Sequence, residues 1–213
     1  MRIKWFGHSF FEITSDSGTR IITDPFDDSL GYDVPNIAGD VVTVSHEHYD
    51  HNAVDSVQGT PIIIKGAGRH EAAGLDFIGV SSFHDNVNGA KRGYNTIFVF
   101  KVDGIKMVHL GDLGMPLSLE KASEIGEVDI LFAPIGGTYT VDSQGVDEII
   151  ELLKPRVTVP MHYKTPAIDL DIDGVDKFLK GKEKVEKAGY VWNTTIRDLV
   201  KYDRWIIVMD YSH

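Results

Sequence analysis

Cysteine is absent from the chain, which excludes disulfides and thiolate metal ligands together, so any metal would have to rest on nitrogen and oxygen. Long apolar runs are missing too. Nothing in the sequence approaches the roughly eighteen residues that cross a bilayer, and Met1-Arg2-Ile3-Lys4-Trp5-Phe6-Gly7-His8 turns polar too early for a secretory signal. A cytoplasmic location without membrane attachment is the expectation. Basic residues are few: 21 Lys and Arg stand against 32 Asp and Glu, for a net charge of −11, with no dense cationic cluster. Phosphate backbones recruit positive surfaces, so a nucleic-acid partner is not expected. The remainder is an ordinary globular composition, 42% hydrophobic and 25% charged. A chain of this length can bury a sizeable core as one domain, residues 1–213.

What the chain does have is histidine concentrated in one place. His46-Glu47-His48-Tyr49-Asp50-His51 follows the apolar run Val41-Val42-Thr43-Val44-Ser45. Imidazole nitrogen and carboxylate oxygen suit zinc and its first-row neighbours, and a core or a helix has no ordinary use for such density. If the chain stays extended beyond the run, side chains two apart point the same way, so His46 and His48 could hold one ion. Asp50 and His51 would then face a second ion, with Asp50 also able to open a helix through Asn52. The helical His-Glu-x-x-His signature fails, because Asp50 stands four residues after His46.

His-x-His-x-Asp-His after a short apolar strand resembles the metallo-β-lactamase superfamily. Matches further along the chain resemble its L-ascorbate-6-phosphate lactonase-like branch of metal-dependent hydrolases. The resemblance implies an α/β fold, a four-layer αββα sandwich, around one or two metal ions.

In chain order, residues 2–6, 10–15 and 19–24 are expected as strands. His8 lies between the first two in Gly7-His8-Ser9, and Asp24 closes the third before Pro25. The resemblance places His8 near the metal and makes Asp24 an acceptor for a ligand histidine, so both are candidates for direct or supporting roles in catalysis, as is Asp50. Residues 27–40 read as a surface loop, 61–65 as a buried strand, 68–74 as a short helix and 77–83 as a strand that delivers His84. His84 and His70 compete as the third nitrogen ligand; the strand-end context favours His84, where the family places its ligand. A hairpin, 94–102 and 105–110 about Asp103-Gly104, ends in His109-Leu110-Gly111-Asp112-Leu113-Gly114. Asp112 sits between glycines that let the backbone bring a carboxylate close to a charged centre, and it resembles the family's bridging aspartate. His109 reads as packed.

Ser118 can cap a helix over 119–125 that Gly126 ends. A strand at 129–134 runs into Gly136-Gly137-Thr138-Tyr139-Thr140-Val141-Asp142, where Gly137, Tyr139 and Asp142 are candidate substrate contacts. An amphipathic helix over 146–154 and a strand over 156–160 follow. That strand hands over His162, which matches the family's final ligand, and then Lys164, a candidate to neutralise a substrate anion. Residues 169–187 are expected to be helical with a break near Gly181, 205–211 to be the last strand and His213 to be exposed. Two pseudo-equivalent halves divide near residue 90.

The resemblance gathers His46, His48 and His84 on one ion and Asp50, His51 and His162 on the other, with Asp112 between them. Two divalent ions are implied, zinc first, with Mn²⁺ or Fe²⁺ as alternatives. The implied activity is hydrolysis of an ester, lactone or phosphoester in a small, anionic substrate by a metal-activated hydroxide. A phosphodiesterase acting on RNA or DNA is a competing reading, and a metal-binding sensor without turnover is another. Di-iron electron-transfer relatives carry Glu where His48 stands. The lactonase relatives imply a homo-oligomer.

Overall fold

Short apolar runs separated by Gly, Asp and Asn punctuation make strands rather than helices the dominant element. The computed structural model describes residues 1–212, so His213 lies outside the described residues. Strands β1 (Arg2–Gly7), β2 (Phe10–Thr14), β3 (Arg20–Thr23), β4 (Val41–Val44) and β5 (Ile62–Lys65) come first. They are followed by β6 (Gly68–Ala72), β7 (Leu75–Phe83), β8 (Tyr94–Val102), β9 (Ile105–His109), β10 (Ile130–Pro134) and β11 (Val157–Met161). The last three are β12 (Val185–Gly189), β13 (Val191–Asn193) and β14 (Trp205–Met209). One sheet runs β13-β1-β2-β3-β4-β5 and the other β12-β14-β11-β10-β9-β8-β7-β6. The chain therefore changes sheets between Lys65 and Gly68, ahead of residue 90, and β13 returns to the first sheet.

Alternation along the first sheet divides its side chains between two apolar clusters. Ile3, Trp5, Phe11, Ile13, Ile21 and Val41 join the main core with Phe98, Phe132 and Val159 of the second sheet. Phe11 meets Phe132 with ring centroids 4.6 Å apart. Phe6, Phe10, Ile22, Val42 and Val44 form the other cluster with Phe26, Leu30, Tyr32 and Ile172, contributed by irregular segments. The helices α1 (Leu119–Ile125), α2 (Ser143–Leu153) and α3 (Val175–Leu179) send Ile125, Val146, Ile149, Leu153 and Phe178 into the main core, while α4 (Ile196–Leu199) is a single turn. The architecture is the expected αββα sandwich with few and mostly short helices; on the first sheet's second cluster, loops and 3₁₀ turns at Asp28–Leu30 and Val54–Ser56 do the covering.

Several expectations change. Residues 68–72 form a strand, not a helix, because Ala73 and Gly74 both turn left-handed (φ 50° and 73°) and fold β6 back on β7 as a tight hairpin. Sheet pairing overrides the helical propensity of Glu71-Ala72-Ala73. Only Val175–Leu179 of the expected helix over 169–187 is helical, and Val185–Gly189 pairs with β14 instead. β5 is an edge strand with Ile62 and Ile63 exposed, so it is less buried than its composition suggests. α2 begins at Ser143 because Asp142 caps it.

Strand direction decides where chemistry can occur. β1, β3 and β4 run one way in the first sheet, and β7, β9 and β11 share a direction in the second. The C-terminal ends of these six strands deliver His8, Asp24, His46, His84, Asp112 and His162. α/β folds place ligands at such an edge. Backbone bonds tie the two sheets together there: Thr96 N–H donates to Ser45 O at 2.8 Å and His162 N–H to His8 O at 3.0 Å. His109 Nε2 adds a third link to Ser9 O at 3.1 Å.

Candidate metal centre

Beyond Val44 the chain bends and turns instead of staying extended, closing on a His51 N–H to His48 O bond of 3.0 Å, and Asp50 opens no helix. His46 and His48 still converge, with ring centroids 4.7 Å apart, and His84 stands 4.5 and 4.8 Å from them. The ligand atoms of these three lie within 4.8 Å of one another. Asp50, His51 and His162 form a second such group, which His8 joins. Asp112 stands between: Oδ2 is 3.3 Å from His84 Nε2 and 3.1 Å from His162 Nε2, and Oδ1 is 3.3 Å from His51 Nε2. All seven expected ligands therefore meet at one place. His70, on β6, does not; its Nε2 lies 3.1 Å from the Gly66 carbonyl in the turn before that strand.

The surrounding bonds decide which nitrogen faces inward. Ser45 Oγ donates to Asp24 Oδ2 at 2.6 Å, so His46 Nδ1–H donates to Ser45 Oγ at 2.9 Å and leaves Nε2 as a lone pair. His51 Nδ1–H donates to Asp24 Oδ2 at 2.9 Å, with the same result for its Nε2. Asp24 thus orients two imidazoles and also accepts from Ser45 N–H at 2.8 Å. His8 lies against His162, centroids 3.9 Å apart, and puts Nε2 3.2 Å from Asp50 Oδ2, so it positions a carboxylate. His109 is packed, as expected, accepting from Gly111 N–H through Nδ1 at 3.2 Å.

The electrostatics favour a cation at the centre. Burial, with the charge of His51, lowers His46 to about 3; burial, with His162, lowers His8 to about 4. Burial disfavours charge on His51 as well, but Asp112, Asp24 and Asp50 outweigh it and raise its pKa. Asp112 resists burial in the same way, held well below the usual carboxylate range by His162 and His51. His46 Nε2, His51 Nε2 and Asp112 Oδ1 are buried without a hydrogen-bond partner. Buried polar atoms left unpaired are costly, and here they point at one another. Donors about 2.0–2.2 Å from a shared ion would be spaced much as these are, so the residues fit a metal.

Asp112 reaches this position because Gly111, one residue before it, and Gly114, two after it, have no side chains. A Cβ on Gly111, which has φ 55°, would meet Ser45 Cβ at 2.6 Å, and one on Gly114 would meet Asp85 Cα at 2.5 Å. Each glycine therefore abuts the segment that carries another ligand. Gly114→Ala is expected to push the His84 strand end away, costing about 1–3 kcal/mol and part of the bound metal; thermal melting and elemental analysis check both.

Five of the donors, His48, Asp50, His84, Asp112 and His162, floor a cavity of about 490 Å³ lined also by Glu47, Tyr49, Arg92, Tyr139 and Leu170. A larger surface cleft, about 590 Å³, lies between Asp147 and Arg204 and has no histidine in its wall. Residues 2–162 match the family model described as a beta-lactamase superfamily domain. The chain belongs to the metallo-β-lactamase superfamily. Among relatives, it is 30% identical to a UPF0173 metal-dependent hydrolase from Pyrobaculum islandicum over 199 residues, 80% of this chain and 88% of that protein. A protein of the same description from Thermococcus onnurineus is 28% identical over 214 residues, covering 87% and 95%. Among solved structures, a Thermotoga maritima protein assigned as a Zn-dependent hydrolase of this superfamily superposes with a TM-score of 0.82 at 38% identity, covering 98% of this chain and 97% of its own.

Of the substrate contacts expected from sequence, Tyr139 alone lines the cavity. Asp142 accepts from Gly145 N–H at 3.0 Å as the α2 cap. Gly137 turns with φ 66°, its carbonyl accepting from Thr140 N–H at 2.9 Å. Lys164 Nζ turns to Leu170 O at 3.0 Å and Asp169 at 3.5 Å. Sequence reading missed Ser45, Asp85, Arg92 and Asn95. Asn95 had a signal, a polar residue inside an apolar strand: it takes Asp112 N–H at 2.9 Å and donates to Leu110 O at 2.9 Å.

Proposed function

We propose that the chain is a metal-dependent hydrolase that holds two divalent ions, zinc first, and cleaves an ester, lactone or phosphoester bond in a small anionic molecule. One observation carries the reading: two imidazole-rich groups share Asp112 on the floor of an open cavity, with unpaired lone pairs facing inward. His46, His48 and His84 would hold one ion, and Asp50, His51 and His162 the other, with Asp112 common to both. Bound there, the ions supply Lewis acidity and lower the pKa of water toward about 7. The chain's own part is orientation. Asp24 fixes the His46 and His51 tautomers through the Ser45 hydroxyl and directly, His8 holds Asp50, and Asn95 holds the Asp112 backbone. The relatives' names as metal-dependent hydrolases support the reading, as does a wall of Tyr49, Tyr139 and Leu170 sized for a small molecule.

Stripping with a chelator is expected to abolish turnover in a panel of 4-nitrophenyl esters, lactones and phosphodiesters, and adding Zn²⁺ or Mn²⁺ to restore it. Undiminished turnover after complete stripping would overturn the proposal.

A further inference from the structure

We propose that Arg92 is the anion clamp of this cavity, its guanidinium taking a carboxylate or phosphate oxyanion on the substrate away from the bond that is cleaved. The inference rests on the hydrolase reading above and names the group that would select its substrates.

Three observations converge on Arg92. Its backbone is fixed. The buried Asp85 carboxylate accepts four N–H groups, those of Val87, Gly89, Lys91 and Arg92, at 2.8–2.9 Å. The loop closes on His84 N–H to Gly93 O at 3.1 Å, so Arg92 is braced against the segment that carries a metal ligand.

Its side chain faces the site. The guanidinium lies 5.3 Å over the Tyr139 ring, and Arg92 lines the metal cavity as well as the adjoining hollows beside His48 and Tyr139.

Its charge is unanswered. Among the described residues no carboxylate pairs with Arg92, although three line the same cavity. Each is engaged elsewhere: Glu47 with Lys65 at 2.9 Å, Asp50 with His8 at 3.2 Å, and Asp112 with the imidazoles. Lys164, the basic residue that sequence favoured for this task, is tied to Leu170 and Asp169. A half-buried guanidinium without a carboxylate partner, on a pinned loop over the candidate metal centre, is suited to bidentate capture of a planar or tetrahedral oxyanion.

The test compares 4-nitrophenyl hemiesters of succinate, glutarate and adipate, which carry a distal carboxylate at three reaches, with neutral 4-nitrophenyl acetate. Metal-loaded wild type, Arg92→Gln and Arg92→Lys are used after metal content has been matched by elemental analysis. In Arg92→Gln the ratio of kcat/KM for the best hemiester to that for acetate should fall about 10- to 100-fold, mostly through KM. Arg92→Lys, a point charge without the fork, should fall between. A ratio that Arg92→Gln leaves unmoved overturns the clamp. If wild type cleaves neither ester class, calorimetry with the free dicarboxylates decides the clamp, and the hydrolase reading is judged separately by the chelator experiment on the full panel. Binding weakened at least about tenfold by Arg92→Gln sustains it; equal binding, or none by wild type, overturns it.

Discussion

Replacing Asp112 with alanine is expected to cost at least about a thousandfold in turnover, some 4 kcal/mol of barrier, together with most of the bound metal. The size of the effect follows from its position. Its two oxygens stand within 3.3 Å of His51, His84 and His162, which belong to both ligand groups, so one substitution removes the element common to the two. His48→Ala, which deletes one ligand on the open side, should lower metal content by less while also abolishing turnover. Steady-state rates with elemental analysis of each variant check this. Full metal content and wild-type turnover in Asp112→Ala would show that the carboxylate is only a core acceptor.

Asp24→Asn is expected to act at a distance from the substrate and still rank second. Asp24 is fully buried and receives Ser45 N–H, Ser45 Oγ–H and His51 Nδ1–H. An amide in its place turns N–H groups toward donors, and breaking such a buried charged set typically costs about 3–5 kcal/mol, or roughly 6–20 °C in Tm for a chain of this size. His46 and His51 lose their fixed tautomers, so metal affinity should drop by about 10- to 100-fold. The pH dependence has a defined sign. Burial alone would raise the Asp24 carboxyl, but the bond from His51, with His109 beside it, lowers it below its ordinary value. Its contribution to stability is full above about pH 4 and drains as pH falls through the lower folded value, so Asp24→Asn should flatten that acid limb. Melting curves against pH and metal titrations measure both parts; an unchanged Tm and an unchanged affinity would remove Asp24 from the account.

How far the sequence reveals this site depends on whether each residue carries its own punctuation. The cluster over 46–51 is legible because six adjacent residues hold four ligands, and neither a core nor a turn needs that. His84, Asp112 and His162 are legible by a second route, since each polar residue terminates an apolar strand and shared strand direction brings such ends to one edge. Arg92 carries no such mark. A basic pair, Lys91-Arg92, inside a polar loop reads as solvent surface, and only the four N–H groups gathered by Asp85 turn it inward. Lys164 misleads for the opposite reason: its place two residues after His162 suggests the cavity, while the chain turns its amine to Leu170. The helix expected over 68–74 fails because Ala73 adopts a left-handed turn that glycine or asparagine normally announces.

Seven side chains, from four strand ends and one turn, are proposed to enclose two neighbouring divalent ions. Anomalous diffraction at the zinc edge, from crystals of protein loaded with Zn²⁺, tests that enclosure most directly. Two peaks are expected, one among His46, His48 and His84 and one among Asp50, His51 and His162, with Asp112 reaching both. Ions bound elsewhere, or none at this cluster in protein that remains folded, would contradict it.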